Sequence, residues 1–202
     1  MIIVASGISA SGKTTWTRSL GMGAVIEEHG PLPDAPGREA ALGEPAEYWT
    51  ARNTERWAKA LAAEEACGLA ICDSDPLKLH FHYALWQVGE GTRDQFDAMA
   101  QGARAAIVQH RLGFADVFYV SPRDPDDARV LRNNDPTRRR RNFERNAKLY
   151  EPLMAWYRAL GDLLPGRIVF DLPDGWRPPE LEQNPQRYDP ELLDALIGRL
   201  AV

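Results

Sequence analysis

Gly7-Ile8-Ser9-Ala10-Ser11-Gly12-Lys13-Thr14 carries glycine at its first and sixth positions and ends in a Lys-Thr pair, directly after the apolar run Ile2–Ser6. This is the P-loop pattern in the context its mechanism requires, a buried strand before it and a helix after it. The glycines let the backbone curl so that successive N–H groups face phosphate oxygens, and the helix N-terminus adds its positive dipole end. The spacing assigns Gly7, Ser9, Ala10, Ser11, Gly12, Lys13, Thr14 and Thr15 to triphosphate binding. Lys13 is expected on the β- and γ-phosphates, the Thr14 hydroxyl on Mg²⁺, and the Thr15 hydroxyl near the α-phosphate.

Acids at the ends of apolar runs supply the next candidates. Asp73 ends the run Leu69-Ala70-Ile71-Cys72 and is expected to work with Thr14 at the metal. Glu28 follows Ala24–Ile26 and is placed to take a proton from an attacking hydroxyl, while Glu27 alternates to the opposite face. Asp75 is a second carboxylate that suits an acceptor hydroxyl or amine, and Trp49 offers a flat surface to a planar acceptor. These acids favour a neutral or cationic acceptor. Arg138 to Arg141 are four consecutive arginines, with Arg129 and Arg132 shortly before them. They are read as a lid, at about residues 133–142, in which Arg138 and Arg141 neutralise γ-phosphoryl charge and exclude water, ahead of a solvated basic segment and of a nucleic-acid contact patch. His80 and His82 diverge on a helix and make no shared metal site. Trp57, Trp86 and Trp156 suit a core as well as a stacking surface.

Positioning these groups requires alternating strands and helices. Strands are predicted at 2–6, 24–26, 69–72, 116–120 and 167–170, the first of them apolar throughout, as the centre of a covered parallel sheet demands. Helices are predicted at 13–20, 46–67, up to about 87, 94–112, 125–132, 142–160 and after Pro190. Asp124 reads as an N-cap with Pro125 at the first helical position. The Pro- and Gly-rich stretch 31–45 reads as an ordered surface loop. The expected fold is three-layer α/β/α around a mainly parallel five-stranded sheet, in one domain spanning 1–202.

The chain has 202 residues and a formal net charge of -5, too acidic for a protein that coats nucleic acid or an anionic membrane. No apolar stretch is long enough to span a bilayer, and the short N-terminal run lacks the flanks of a signal peptide, so a cytoplasmic enzyme is expected. Cys67 and Cys72 are too few for a disulfide or zinc framework and are expected to be reduced and partly buried. A homodimer is left open.

Taken together, Gly7 to Thr14, the Glu28-His29-Gly30-Pro31 turn, the helix with Tyr48-Trp49, Asp73 and the arginine run resemble the small P-loop kinases, nearest the deoxynucleoside and thymidylate kinase group. The resemblance implies a kinase moving the γ-phosphoryl group of ATP, with Mg²⁺, to a hydroxyl of a small molecule such as a nucleoside, sugar or antibiotic. It implies Glu28 as general base, Asp73 near Mg²⁺, and the loop from Asp171 bordering the adenine. The group carries arginine directly after the acid of the third strand, whereas this chain reads Asp73-Ser74-Asp75-Pro76. Two other functions fit a P-loop: a regulatory ATPase without an acceptor, and a polynucleotide end kinase, which needs a basic groove.

Overall fold

The computed structural model describes residues 1–37, 40–41, 43–134 and 142–200. Five strands, β1 (Ile2–Ser6), β2 (Ala24–Ile26), β3 (Ala70–Asp73), β4 (Val117–Val120) and β5 (Ile168–Val169), form one sheet in the order β2-β3-β1-β4-β5. Every pairing is parallel. Among the described residues eight helices connect and cover it: α1 (Lys13–Ser19), α2 (Gly43–Cys67), α3 (Leu79–Gln87), α4 (Arg93–Val108), α5 (Pro125–Asn133), α6 (Phe143–Ala147), α7 (Tyr150–Leu163) and α8 (Pro190–Leu200). The expected three-layer α/β/α architecture is present.

Side-chain alternation along β1 divides the core in two. Ile2 and Val4 pack with Trp57, Phe96, Phe118, Trp156 and Tyr157 on one face of the sheet. Ile3 and Ala5 pack with Trp16, Tyr119 and Trp176 on the other. Trp57 and Trp156 are therefore core residues and not stacking surfaces. Cys72 is buried in β3, whereas Cys67 is exposed, contrary to expectation.

Several boundaries differ from the sequence reading, among them the end of α4, at Val108 and not 112. Helix α2 begins at Gly43, taking Pro45 into its first turn, where a missing N–H costs no helical bond. The helix expected over 142–160 is broken between α6 and α7 at Lys148 and Leu149. Pro152 explains the break, because its ring conflicts with the carbonyl four residues earlier, that of Lys148. The caps follow sequence more closely. Asp124 Oδ1 accepts from Asp126 N at 2.8 Å and Asp127 N at 2.9 Å. Thr92 and Gln95 cap each other at the start of α4.

At the amino ends of the strands a buried charge cluster ties the C-terminal crossing to the sheet. Arg187, 4% exposed, donates to Glu64 Oε2 at 2.7 Å and Asp116 Oδ2 at 2.7 Å. Asp116, fully buried, also accepts from Ile2 N and Asn184 N, both at 2.6 Å. Removing the guanidinium strands a buried carboxylate, so Arg187→Ala is expected to cost about 3–5 kcal/mol in urea unfolding. A loss under 1 kcal/mol would show that the cluster is not a determinant of stability.

Candidate active site

The chain crosses from β3 to β4 on opposite sides of β1, so the crevice of the sheet opens at the carboxyl ends of β1 and β3. The loop after β1 occupies this place and is fixed from both sides. Ser74 N donates to Ala5 O at 2.9 Å, and Ser121 Oγ, just past β4, donates to Ser11 O at 2.9 Å. Gly7 has φ +140°, and a Cβ there would lie 2.7 Å from Ser11 Oγ and 3.0 Å from Ser121 Cβ, so only glycine fits. Gly7 through Thr15 line a cavity of about 580 Å³. Lys13 Nζ donates to the carbonyls of Gly7 (2.9 Å) and Ile8 (2.7 Å).

Thr14 and Asp73 meet as their spacing requires: Thr14 Oγ1 donates to Asp73 Oδ2 at 2.6 Å. Asp73 Oδ1 is buried with no hydrogen-bond partner. This hard-oxygen pair fits Mg²⁺, which takes one or two protein oxygens and completes its octahedron with water and phosphate. Among the described residues no group of three or more His, Cys, Asp or Glu side chains forms a metal cage.

A second cavity, about 680 Å³, opens beside the first and is lined by Glu28, His29, Pro31, Trp49, Arg52, Asn53, Arg56, Phe81 and His82 among others. Thr14, Arg18, Glu28, Lys78, Phe81 and Asn146 belong to both cavities. Glu28 thus stands at the junction. Glu27, which also borders the second cavity, pairs with Arg18 at 2.7 Å. Trp49 is in the second cavity wall, packed edge-on against Tyr48 at 5.1 Å, and Tyr48 Oη accepts from Leu32 N at 2.9 Å. The Pro-rich stretch is thereby strapped over this cavity at its start.

Asp75 does not join the site. It is 3% exposed and is absent from both cavity walls; its Oδ1 accepts from Leu77 N at 2.9 Å and its Oδ2 from Tyr157 Oη at 3.3 Å. The expectation that it contacts the acceptor is corrected: Pro76 and the left-handed Ser74 (φ 73°) turn its side chain into the core. Burial pushes its carboxyl up to about 6, against Leu77 N–H, Arg56, Tyr157 and Lys78, which favour the anion. A carboxyl raised from its usual 3.8 contributes stability below that value and loses it as pH rises through about 6. In metal-free buffer, Asp75→Asn is expected to gain on wild type by on the order of 1–3 kcal/mol between pH 4.5 and 8. A pH-independent difference in urea unfolding would contradict this.

Three cationic residues that sequence reading passed over complete the site. Arg56, 1% exposed, donates to the carbonyls of Glu27 (3.2 Å), Asp73 (2.9 Å) and Ser74 (2.8 Å), locking the ends of β2 and β3 together. Arg52 lies one turn earlier, and the spacing of Trp49, Arg52, Asn53 and Arg56 was the available signal, because these residues share one helix face. Lys78 donates to Glu28 Oε1 and to Ser74 Oγ. Burial raises the Glu28 carboxyl, but Lys78, with Lys13 and Arg56, overcomes it and holds the group at about 2. The cations also give the second cavity a positive wall, whereas the acids read from sequence favoured a neutral or cationic acceptor.

His80 is buried against Tyr157, with Nδ1 3.7 Å from Asp75 Oδ2, while burial and Lys78 hold His82 at about 4. Arg138 and Arg141, and the rest of the arginine run, lie outside the described residues. Its flanks are joined by Glu144, which receives Arg129 at 2.9 Å and Arg132 at 3.5 Å. Pro173 O accepts from Trp16 Nε1 at 3.0 Å, placing the loop after β5 against α1.

No protein-family model matches the chain, and no curated protein matches it in sequence. Solved structures do. A deoxyadenosine kinase from M. mycoides with products dCMP and a flexible dCDP bound has a TM-score of 0.60 at 12% identity, covering 100% of this chain and 99% of that one. The structures described as carrying dATP and dCTP have TM-scores of 0.55 and 0.57 at 14% and 13% identity, again over 100% of this chain and 100% and 99% of those. At this identity the likeness concerns architecture: the chain has the fold of the deoxynucleoside kinases along its whole length.

Proposed function

We propose that the chain is a kinase that transfers the γ-phosphoryl group of ATP to a hydroxyl of a small molecule. The observation that carries this reading is the meeting of two cavities at Glu28, with a P-loop lining one and an aromatic and polar wall lining the other. A regulatory ATPase has no use for the second. The fold shared with deoxyadenosine kinases makes nucleosides the first acceptor class to test, ahead of sugars and antibiotics.

In this reading the backbone of Gly7 to Thr15 binds the triphosphate, and Lys13 moves from loop carbonyls to phosphate oxygens. Thr14 and Asp73 would hold Mg²⁺, which when bound would supply positive charge beside the phosphates. Glu28 takes the proton of the acceptor hydroxyl, whose oxygen bonds to the γ-phosphorus as the bond to the bridging oxygen breaks and ADP departs. Trp49 and Phe81 position the acceptor. Arg138 and Arg141 keep the part expected from sequence, neutralising γ-phosphoryl charge.

The test is Mg²⁺-dependent ATP consumption across nucleosides, sugars and aminoglycosides, with phosphorylated product identified by mass. Stoichiometric product from one class is the expected result. Slow hydrolysis indifferent to every acceptor would replace this reading with the regulatory ATPase.

A further inference from the structure

At the end of β3 no cation follows the acid directly. Beside the Arg56 guanidinium, positive charge at this corner comes from Lys78, five positions after Asp73, and four observations single it out. It lines both cavities, so its ammonium stands where donor and acceptor meet. Its Nζ bridges Glu28 Oε1 and Ser74 Oγ, the latter at 2.9 Å. Its backbone is left-handed (φ 57°), as is that of Ser74 (φ 73°), so two non-glycine residues within five hold a conformation that L-residues rarely adopt, beside the candidate base. Its Nζ also lies 5.9 Å from the centroid of Phe81, another residue common to both cavities.

From this geometry we infer that Lys78 is a catalytic cation that leaves Glu28 for the γ-phosphoryl oxygens when ATP binds, freeing the base only in the loaded site. The inference rests on the phosphoryl-transfer reading. In the step itself the acceptor proton passes to Glu28, the new P–O bond forms, the electron pair of the breaking P–O bond leaves on the β-phosphate, and Lys78 stays paired with the transferring group. Among the described residues, the charged and titratable groups facing Glu28 are Lys78, Lys13 from α1, Arg56 from α2 and His80 from α3. Arg56 is committed to three backbone carbonyls and cannot leave. Lys78, on a flexible four-carbon stem and bound to two side chains, can. A carboxylate held as acidic as Glu28 takes a proton poorly, and withdrawal of Lys78 returns it toward the ordinary range.

The experiment compares calorimetric binding of the Mg²⁺ complexes of ADP and of adenosine 5′-(β,γ-imido)triphosphate to wild type, Lys78→Met, Lys78→Arg and Glu28→Gln. Lys78→Met is expected to weaken the triphosphate analogue about tenfold while changing ADP less than about twofold, with Lys78→Arg restoring most of the loss. Glu28→Gln, which releases Lys78, is expected to bind the analogue more tightly, with ADP unchanged. A misfolded or merely loosened Lys78→Met site weakens both nucleotides equally, and that result, or a Glu28→Gln variant indifferent to the analogue, overturns the inference alone. Failure of wild type to bind either nucleotide overturns the phosphoryl-transfer reading and the inference with it.

Discussion

Lys13→Met is expected to lower ATP turnover by about 10²–10³-fold while the protein melts within a few degrees of wild type. The first half follows from what an ammonium does at a leaving phosphate. It meets charge that grows in the transition state inside a walled cavity, and loss of one such preorganised donor costs about 3–4 kcal/mol, two to three decades in rate. The second half follows from where Lys13 sits. It is the first residue of α1, where a positive charge opposes the helix dipole by about 0.3–1 kcal/mol. Against that stand its bonds to the carbonyls of Gly7 and Ile8, each contributing on a similar scale. The stabilising and destabilising effects nearly cancel, so stability changes little. Lys13→Arg is expected to be almost as impaired, because a planar guanidinium does not fill the place of a compact ammonium. Turnover within tenfold of wild type in the Met variant, with acceptor saturating, would remove the cradle from the proposed function.

What sequence disclosed and what it hid divide along a physical line. The turn after β1 was legible because its shape is set by backbone, and the backbone demand is written in Gly7 and Gly12 at fixed spacing. The pair Thr14 and Asp73 was legible because both sit at ends of parallel elements that the strand order makes neighbours. Glu28 and Trp49 line one cavity for the same reason, one past a strand and the other on the helix that packs beside it. The failures involve residues whose roles depend on direction. Asp75 stands two positions from Asp73, but left-handed Ser74 and the following proline send it inward to Tyr157. Lys78 was passed over because nothing in its spacing announces that a left-handed backbone returns its side chain to Glu28. Arg56 is a buried guanidinium in a helix, which sequence reads as a surface residue until the carbonyls of β2 and β3 are seen to need it. Pro152 was overlooked in its effect on the residues before it, and the helix pair α6 and α7 was read as one.

Glu28→Gln is expected to lower kcat by about 10²–10⁴-fold with only a small change in the KM for ATP. The amide keeps the shape of the cavity wall but loses the charge that holds Lys78, and it cannot accept the hydroxyl proton. Asp73→Asn has a different signature. Its partner is the Thr14 hydroxyl and the metal the pair would hold, so its loss should appear first as a higher Mg²⁺ requirement and be partly recovered at high Mg²⁺, which Glu28→Gln should not be. The acid limb of the wild-type kcat profile separates the two further. Glu28 in the unloaded site is held at about 2 by its cations, so a kcat limb nearer the ordinary carboxylate range, absent in Glu28→Gln, would mean that the loaded site has lifted the base. If instead the Gln variant keeps kcat within threefold of wild type, proton transfer is not coupled to the slow step. Positioning by Trp49 and Phe81 and charge neutralisation by Lys13 and Lys78 would then account for the rate, with Glu28 serving only to hold Lys78 in the empty site.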